Sequence, residues 1–446
     1  MDSYYDGLNI KLLNAIPNNS NKILELGCAN GKLGRRYKEI NKQTYWVGID
    51  INKQAISEAS KYLDEVHEIN IDTSELENIG NDFDVIVIGD LLEHLKSPEN
   101  LLDKIYDLSL PTAFIVCCIP NTSHISIVER LISGDFSYDE MGLLDKTHTR
   151  LFSASSAIKT FLNSGWLPDI VDRYDTAPRV DDFTESVINT AKTLGIPRVT
   201  AIDQINLYQM IMKCEKWSLK IFETPGPSEP FSVIVPVNRP WQYDLNILRS
   251  PGLREVNADI IPVLNANSAA EAYKIGAEKS KHPWKIFAHQ DVYFPTGTGL
   301  AIGRQLGKLS AKKCTHYPAG FAGMKINANG TVEKSGLIID RKELLKYAAA
   351  EQACSIDEFA VAIHQDAHVA IDPKMGWHLW GTDLCIQSKN ELDKYQTKII
   401  DVPLFRNSTN DFNFPEDFHK SLYQIFTKYS DLNVLETLCG KFNRII

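Results

Sequence analysis

The sequence has no apolar run approaching the roughly 20 residues that a membrane-spanning helix needs. It has no internal repeat and no low-complexity tract, which excludes solenoid and fibrous architectures. Cysteine is sparse, 8 in 446 residues, with no zinc-type spacing and no disulfide framework. Cys117 and Cys118 are adjacent on an expected strand, where reduced core thiols belong. The opening Met1-Asp2-Ser3-Tyr4-Tyr5 has neither the basic nor the apolar region of a signal peptide, so a cytoplasmic location is expected. A basic excess is also missing. Residues 1–216 carry 21 Lys and Arg against 32 Asp and Glu, a net of −11; the other 230 carry 26 against 25, a net of +1. Phosphate neutralisation needs a basic surface, so a nucleic-acid partner is not expected.

What is present is enough chain for two domains. The first half alternates strand and helix. Residues 5–15 read as helix, then strands follow at Ile23–Leu26, Tyr45–Asp50, Val66–Ile71, Asp84–Asp90 and Ala113–Ile119. Helices are expected near 53–63, 98–108 and 154–163, and Tyr208–Cys214 reads as a last strand. Such alternation implies βαβ units and a parallel sheet. The stretch Glu223–Pro230 holds three prolines and a glycine in eight residues and reads as a linker. A second alternation begins after it, with strands at Phe231–Pro236 and Trp284–Ala288 and a helix over 268–280. The expected division is 1–218, a linker at 219–230, and 231–446.

The centre of the first half is Glu25-Leu26-Gly27-Cys28-Ala29-Asn30-Gly31, a buried strand running into a glycine turn and then a helix. Glycines let the backbone approach a ligand closely at the carboxyl edge of a parallel sheet. Asp50 follows Gly31 by 19 residues at the end of strand two, where a carboxylate can take two ribose hydroxyls. The motif resembles motif I of class I S-adenosylmethionine-dependent methyltransferases, with Ala29 in place of the middle glycine. The resemblance implies cofactor contacts at Glu25, Gly27, Ala29, Gly31, Asp50, Asp72, Asp90 and Leu91. It also places Asp90-Leu91-Leu92-Glu93-His94-Leu95 as the segment after strand four. A nicotinamide dehydrogenase is the nearest competing reading. The acid before the glycines and the Glu-His-Leu segment both speak against it.

A second stretch, Gly142-Leu143-Leu144-Asp145-Lys146-Thr147-His148-Thr149-Arg150-Leu151-Phe152, resembles a GxLDxTHxRxF signature of bacterial methyltransferases associated with glycosyltransferases. A hydroxyl acceptor needs a base, and imidazole titrates near neutrality. His148 is the expected base, with Asp145 as the residue that orients it. The competing reading makes Asp145, His148 and Arg150 a hydrogen-bonded loop lock. His94 reads as a strand-end structural histidine, and Arg35-Arg36 as a solvated helix face.

From Phe231 onward the chain resembles a GT-A-fold, family 2-like glycosyltransferase. The carriers are Ser232-Val233-Ile234-Val235-Pro236, Asn265–Tyr273, His289-Gln290-Asp291-Val292-Tyr293-Phe294-Pro295 and Ile371–Cys385. The resemblance implies a divalent cation (Mg2+ or Mn2+) on Asp291 and His378, facing a nucleotide diphosphate. It implies Asp383 as the base of an inverting transfer and Asp357 and Glu358 at the acceptor. Trp377 and Trp380 read equally as sugar-stacking rings at the acceptor or as core packing. His289 stands where the usual DxD motif has its first aspartate. His364 and His368, flanking Asp366, read as a packed or solvated helix face rather than a metal pair.

The expected protein is an α/β enzyme of two domains, a Rossmann-like methyltransferase sheet and a GT-A-like sheet. It would methylate a sugar hydroxyl and transfer a sugar from a nucleotide donor to a glycan or lipid-linked glycan acceptor. A lipid-linked acceptor would bring it to the inner membrane face. Two alternatives stand beside this reading. One is a methyltransferase with a non-catalytic glycan-binding second domain, and the other is a non-catalytic scaffold of a glycan-assembly complex.

Overall fold

The computed structural model describes residues 7–76, 78–217, 226–327, 329–341, 344–349, 352–392, 396–409 and 414–444. The chain divides into two compact units. The first comprises Met1–Ser218 with Arg341–Glu343 and Thr409–Asp411, and the second comprises the remainder. Of the linker expected at 219–230, residues 219–225 lie outside the described residues, and 226–230 have no regular structure. Among the described residues no helix is long and apolar enough to cross a membrane.

The first unit runs α1 (Ile10–Ala15), β1 (Lys22–Leu26), α2 (Lys32–Ile40), β2 (Tyr45–Asp50), α3 (Lys53–Ala59), β3 (Glu65–Glu68), β4 (Phe83–Gly89), α4 (Pro98–Leu108) and β5 (Ser109–Pro120). It continues with α5 (Ile125–Ser133), α6 (Ala154–Asn163), β6 (Trp166–Asp175), α7 (Asp182–Thr193), α8 (Arg198–Asn206) and β7 (Leu207–Lys216). The sheet order is β3-β2-β1-β4-β5-β7-β6. Strands β1 to β5 are mutually parallel, while β7 runs against both of its neighbours, β5 and β6. The sheet is therefore mixed, not wholly parallel as the alternation suggested. The apolar run of β4 lies between β1 and β5 with its residues 85–88 buried, as a strand covered on both faces should be.

Two strands depart from expectation for local reasons. The third strand ends at Glu68, not Ile71. Asn70 takes over there: its side chain accepts from the Asp72 amide at 3.1 Å, and its carbonyl accepts from the Thr73 and Ser74 amides. That is an Asx turn competing with the ladder. Strand β6 is absent from the sequence-based expectation, and it carries Pro168, a residue unsuited to a strand interior. It is an edge strand of the sheet, where a missing N–H is tolerated.

The second unit begins with β8 (Phe231–Val237), α9 (Pro240–Leu245), α10 (Pro251–Glu255), β9 (Asp259–Leu264), α11 (Ala269–Lys279), β10 (Trp284–Ala288), β11 (Val292–Tyr293) and α12 (Thr298–Ala311). Next come β12 (Ala319–Gly320), β13 (Ala322–Ile326), β14 (Val332–Asp340), β15 (Leu344–Tyr347), β16 (Ala353–Ile356) and β17 (Ala360–His364). It ends with α13 (Trp380–Leu392), β18 (Lys398–Ile399), β19 (Leu404–Arg406), α14 (Glu416–Lys428), β20 (Val434–Thr437) and β21 (Gly440–Asn443). One sheet has the order β18-β12-β17-β10-β8-β9, with β9, β8 and β10 parallel. A second has the order β11-β19-β14-β13-β16, with β15 paired to β14.

Packing of α2 on the first sheet makes one glycine indispensable for space. A Cβ at Gly34 would meet Leu63 Cδ2 at 2.5 Å and the ring of the fully buried Trp46 at 2.8 Å. Alanine normally favours a helix by roughly 1 kcal/mol over glycine, but overpacking costs about 1–3 kcal/mol. Gly34→Ala is expected to destabilise by about 1–2 kcal/mol, read as a lower urea midpoint at unchanged slope.

Candidate active site

Strand β1 delivers the chain into a turn made of three left-handed residues. Gly27, Ala29 and Gly31 have φ of 74°, 47° and 75°. At Gly27 a Cβ would meet only Leu91 Cδ1 at 3.4 Å, so the backbone angle is what calls for glycine. At Gly31 a Cβ would also lie 3.0 Å from the Ala59 Cα. The Gly27 and Cys28 amides donate to the Ile49 carbonyl at 2.8 and 2.9 Å, which sets the turn against the end of β2. Asp50 completes that contact. Its Oδ2 accepts from the Ala29 amide at 2.9 Å and its Oδ1 from the Asn52 amide at 2.8 Å.

Glu25, on β1, is buried and accepts from Trp46 Nε1 at 2.9 Å. Burial pushes its carboxyl up to about 8; the Trp46 hydrogen bond opposes the rise and the charge of Asp50 adds to it. Asp72 is exposed in the turn after β3, where it accepts from the Lys96 amide at 3.1 Å. Asp90 follows β4 with φ 47° and accepts from Gln209 Nε2 at 2.7 Å. Burial raises its carboxyl as well.

The segment after β4 forms a short 3-10 turn, Leu92–His94. The loop around His148 is fastened to it. The Glu93 carbonyl accepts from the Thr149 and Arg150 amides at 2.8 and 3.0 Å. Thr149 Oγ1 donates to the Leu95 carbonyl at 2.8 Å, and the Arg150 guanidinium donates twice to the Lys96 carbonyl. Thr147 Oγ1 lies 3.0 Å from His94 Nδ1, and the rings of His94 and His148 meet edge to face at 4.8 Å.

These elements set a glycine turn, an acid at the end of β2 and a polar cluster after β4 along the carboxyl ends of parallel strands, where α/β sheets bind ligands. Residues 1–166 match the profile of a family described as "Methyltransferase domain". The amino-terminal part of the chain is a methyltransferase domain. Among solved structures, a SAM-dependent methyltransferase from Archaeoglobus fulgidus is 17% identical, with 46% of this chain and 92% of that one covered and a TM-score of 0.33. An S-adenosylmethionine-dependent methyltransferase from Mesorhizobium loti is 13% identical, covering 48% and 100%, with a TM-score of 0.33. The plantazolicin methyltransferase BpumL, in complex with SAH, is 16% identical, covering 45% and 77%, with a TM-score of 0.30. No curated protein matches the chain.

Within the methyltransferase domain the Asp145–His148 pairing takes an unexpected form. Asp145 is buried, and its Oδ1 accepts from the Thr147 amide at 2.8 Å and the Thr147 hydroxyl at 2.6 Å. His148 Nδ1 faces the Leu143 carbonyl at 3.2 Å instead. Asp145 and Arg150 thus hold the loop, and the carbonyl orients the imidazole. Burial would raise the Asp145 carboxyl, but the Thr147 hydrogen bonds outweigh it and the carboxyl is lowered. Glu93, which no sequence motif singles out, is 1% exposed with its Oε2 unpartnered. Burial drives its carboxyl well above the usual range, and the charges of Asp90 and Asp145 push the same way. Its adjacency to His94 was the available signal.

In the second unit, His289 and Asp291 follow β10. Gln290 between them accepts from the Asn238 and Arg239 amides at 3.0 and 2.8 Å, tying the ends of β8 and β10 together. Arg406, at the end of β19, faces these residues. Its guanidinium lies 3.9 Å from Asp357, and the charges of Asp357, Asp291 and Asp340 raise it although burial works the other way. Asp291 Oδ1 is buried without a partner. Glu358 accepts from the Gly381 amide at 3.1 Å, and burial pushes its carboxyl up to about 8. Burial lowers the His378 imidazole, and the charges of His289 and Arg406 add to that effect. The guanidinium thus puts a fixed positive charge near Asp291 and His378, the residues expected to hold a cation. Among the described residues the one group of three or more metal-type side chains is Glu93, His94 and His148.

Two expected site residues are packed in the interior. Asp383, proposed as a base, is fully buried and accepts from Gln387, Lys428 and Tyr429 at 2.7, 2.9 and 2.7 Å. A carboxylate so engaged clamps α13 to the end of α14. Trp380 is 1% exposed and packs on Phe287 at 5.1 Å between ring centroids, so it cannot stack on a sugar. Trp377 is partly buried against the same core. His364 is paired with Asp366 and His368 with Glu391, but His364 ends strand β17 and His368 lies outside any helix, so the expected helix face is not formed.

The raised Glu25 carboxyl has a pH signature. A folded-state value of about 8 against the ordinary 4.5 of a glutamate means that the folded protein holds a proton the unfolded chain has lost between those limits. Stability from this site falls as pH rises through that window, by at most about 1.4 kcal/mol per pH unit. Glu25→Gln is expected to remove that slope. Denaturation midpoints of wild type and variant between pH 5 and 8 should converge toward low pH and separate in the variant's favour toward pH 8.

Proposed function

We propose that the methyltransferase domain binds S-adenosylmethionine in the Gly27–Gly31 turn and transfers its methyl group to a hydroxyl of a sugar. The observation that carries this reading is the turn itself. Three left-handed positions, Gly27, Ala29 and Gly31, alternate along it; Asp50 holds the middle one, and Gly27 lies beside Leu91 of the segment after β4. Glu25 and Asp50 stand behind the turn, and Asp72, Asp90 and Leu91 belong to the rim that faces the nucleoside. His148 governs loss of the acceptor proton, and Asp145 keeps its loop in place through Thr147. A sugar acceptor follows from the chemistry proposed for the second unit, which is an argument by association. A cytoplasmic setting belongs to the same reading.

For the second unit we propose glycosyl transfer from a nucleotide sugar to a glycan or lipid-linked glycan. Support comes from the parallel strands β9, β8 and β10, whose carboxyl edge carries His289, Asp291 and, across from them, Arg406. A departing diphosphate gathers negative charge, and a fixed guanidinium stabilises it as a cation would.

Two experiments test these readings. Calorimetry with S-adenosylmethionine is expected to give saturable binding that Asp50→Ala weakens at least about tenfold, since it loosens the turn as well as the ribose contact. Binding unchanged in that variant would remove the turn from the site. Release of nucleotide from a panel of nucleotide sugars, with and without Mn2+ and chelator, examines the second unit. Turnover that resists chelation and is lost in Arg406→Ala assigns the charge to the guanidinium. Turnover that needs Mn2+ and is lost in Asp291→Ala restores the ion on Asp291 and His378. No turnover with any donor favours a glycan-binding role.

A further inference from the structure

Glu93, His94 and His148 form a cluster of the kind that holds a metal ion. One ligand atom from each lies within 4.8 Å of the other two. Bonds of about 2.0–2.2 Å to nitrogen and oxygen require ligand atoms roughly 3–4 Å apart, so a closure of about an ångström completes the set. The three residues come from two distant segments. The Glu93 carbonyl, accepting from Thr149 and Arg150, holds those segments in register. Arg150 adds its bonds to the Lys96 carbonyl.

A second observation points independently to a ligand. Glu93 is 1% exposed, and its Oε2 has no hydrogen-bond partner. A buried carboxylate oxygen left unpaired is costly, and such groups call for an explanation. The surroundings add charge of the same sign, from Asp90 and Asp145. Negative field, two imidazoles and an unsatisfied carboxylate are the features of a site for a dication. Mixed nitrogen and oxygen donors suit a first-row transition metal better than Mg2+, which favours carboxylates and water.

We propose that Glu93, His94 and His148 bind one divalent first-row transition-metal ion, whose open coordination positions take two adjacent oxygens of the acceptor. The role at the acceptor rests on the methyl-transfer reading; the ion site does not. The cluster follows directly on Asp90 and Leu91, and Leu91 lies against Gly27 of the cofactor turn. An acceptor hydroxyl bound to the ion loses its proton to solvent. The alkoxide lone pair then forms the O–C bond to the methyl carbon as the S–C bond breaks. Sulfur keeps the bonding pair and becomes a neutral thioether. His148 acts on the acceptor proton through the ion, and a vicinal diol is preferred to an isolated hydroxyl because it chelates.

The test uses the full chain, stripped with a chelator and dialysed. Co2+ is titrated in and read by visible absorption, and S-adenosylmethionine binding is measured by calorimetry on the same samples. One Co2+ per chain is expected, with affinity reduced roughly 10–100-fold or more in Glu93→Gln and in His148→Ala. His67→Ala, on β3 and paired with Glu65, should bind as wild type does. Thermal unfolding of each variant confirms that it is folded, and the isosteric Glu93→Gln guards against collapse of the site. No saturable Co2+ binding by wild type, or equal binding by both variants, overturns the site. Should S-adenosylmethionine bind while Co2+ does not, the ion is lost and methyl transfer stands. Should Co2+ bind with the expected losses while S-adenosylmethionine does not, the ion site stands and methyl transfer falls.

Discussion

The carboxylate of Asp50 accepts from the amide of Ala29, and the geometry of the first unit's turn depends on that bond. A left-handed angle at a residue with a Cβ costs roughly 1–2 kcal/mol. A hydrogen bond to a charged acceptor contributes about 1.5–3 kcal/mol, so the bond outweighs the strain. Alanine can therefore stand where a glycine is usual, provided that the neighbouring strand ends on an acid. The same carboxylate accepts from Asn52 and so also fixes the start of α3, whose first turn Asn52 caps. One side chain thus couples β1, β2 and two helices at the edge where a cofactor would lie.

The second organising contact is the Glu93 carbonyl, which fastens the His148 loop to the turn after β4. It brings two imidazoles and a buried acid together in an already acidic region. Burying an unpaired carboxylate is unfavourable, and the fold tolerates Glu93 only with its proton retained or with a cation supplied. The net charge of −11 in residues 1–216 is consistent with that concentration of acids. The fixed loop also accounts for Asp145, which holds Thr147 rather than touching His148.

In the second unit the charges sort themselves differently. Arg406 stands among Asp291, Asp357 and Asp340, which makes a fixed positive centre where a mobile ion was expected. Asp383 and Trp380 lie buried in the first turn of α13. The same four-residue stretch reads as catalytic in sequence because its residue types match a site pattern. Its side chains fill the interior instead, one in a hydrogen-bond clamp and one against Phe287.

The sequence by itself determined the strands with continuous apolar runs, the glycine turn, the acid at the end of β2 and the change of organisation near the proline-rich stretch. These depend on local periodicity and on backbone angles few residues tolerate, so they are legible in one dimension. The short third strand and the proline-bearing β6 were not legible. An Asx turn and an edge position decided them, and edge position is a property of the assembled sheet. Only the tertiary structure decided which ionisable groups meet. Glu93, His94 and His148 converge because a carbonyl clamp joins distant segments, and Arg406 reaches Asp291 because β19 pairs with β11. Charge acts through space and burial, and neither is written in the spacing of residues along the chain.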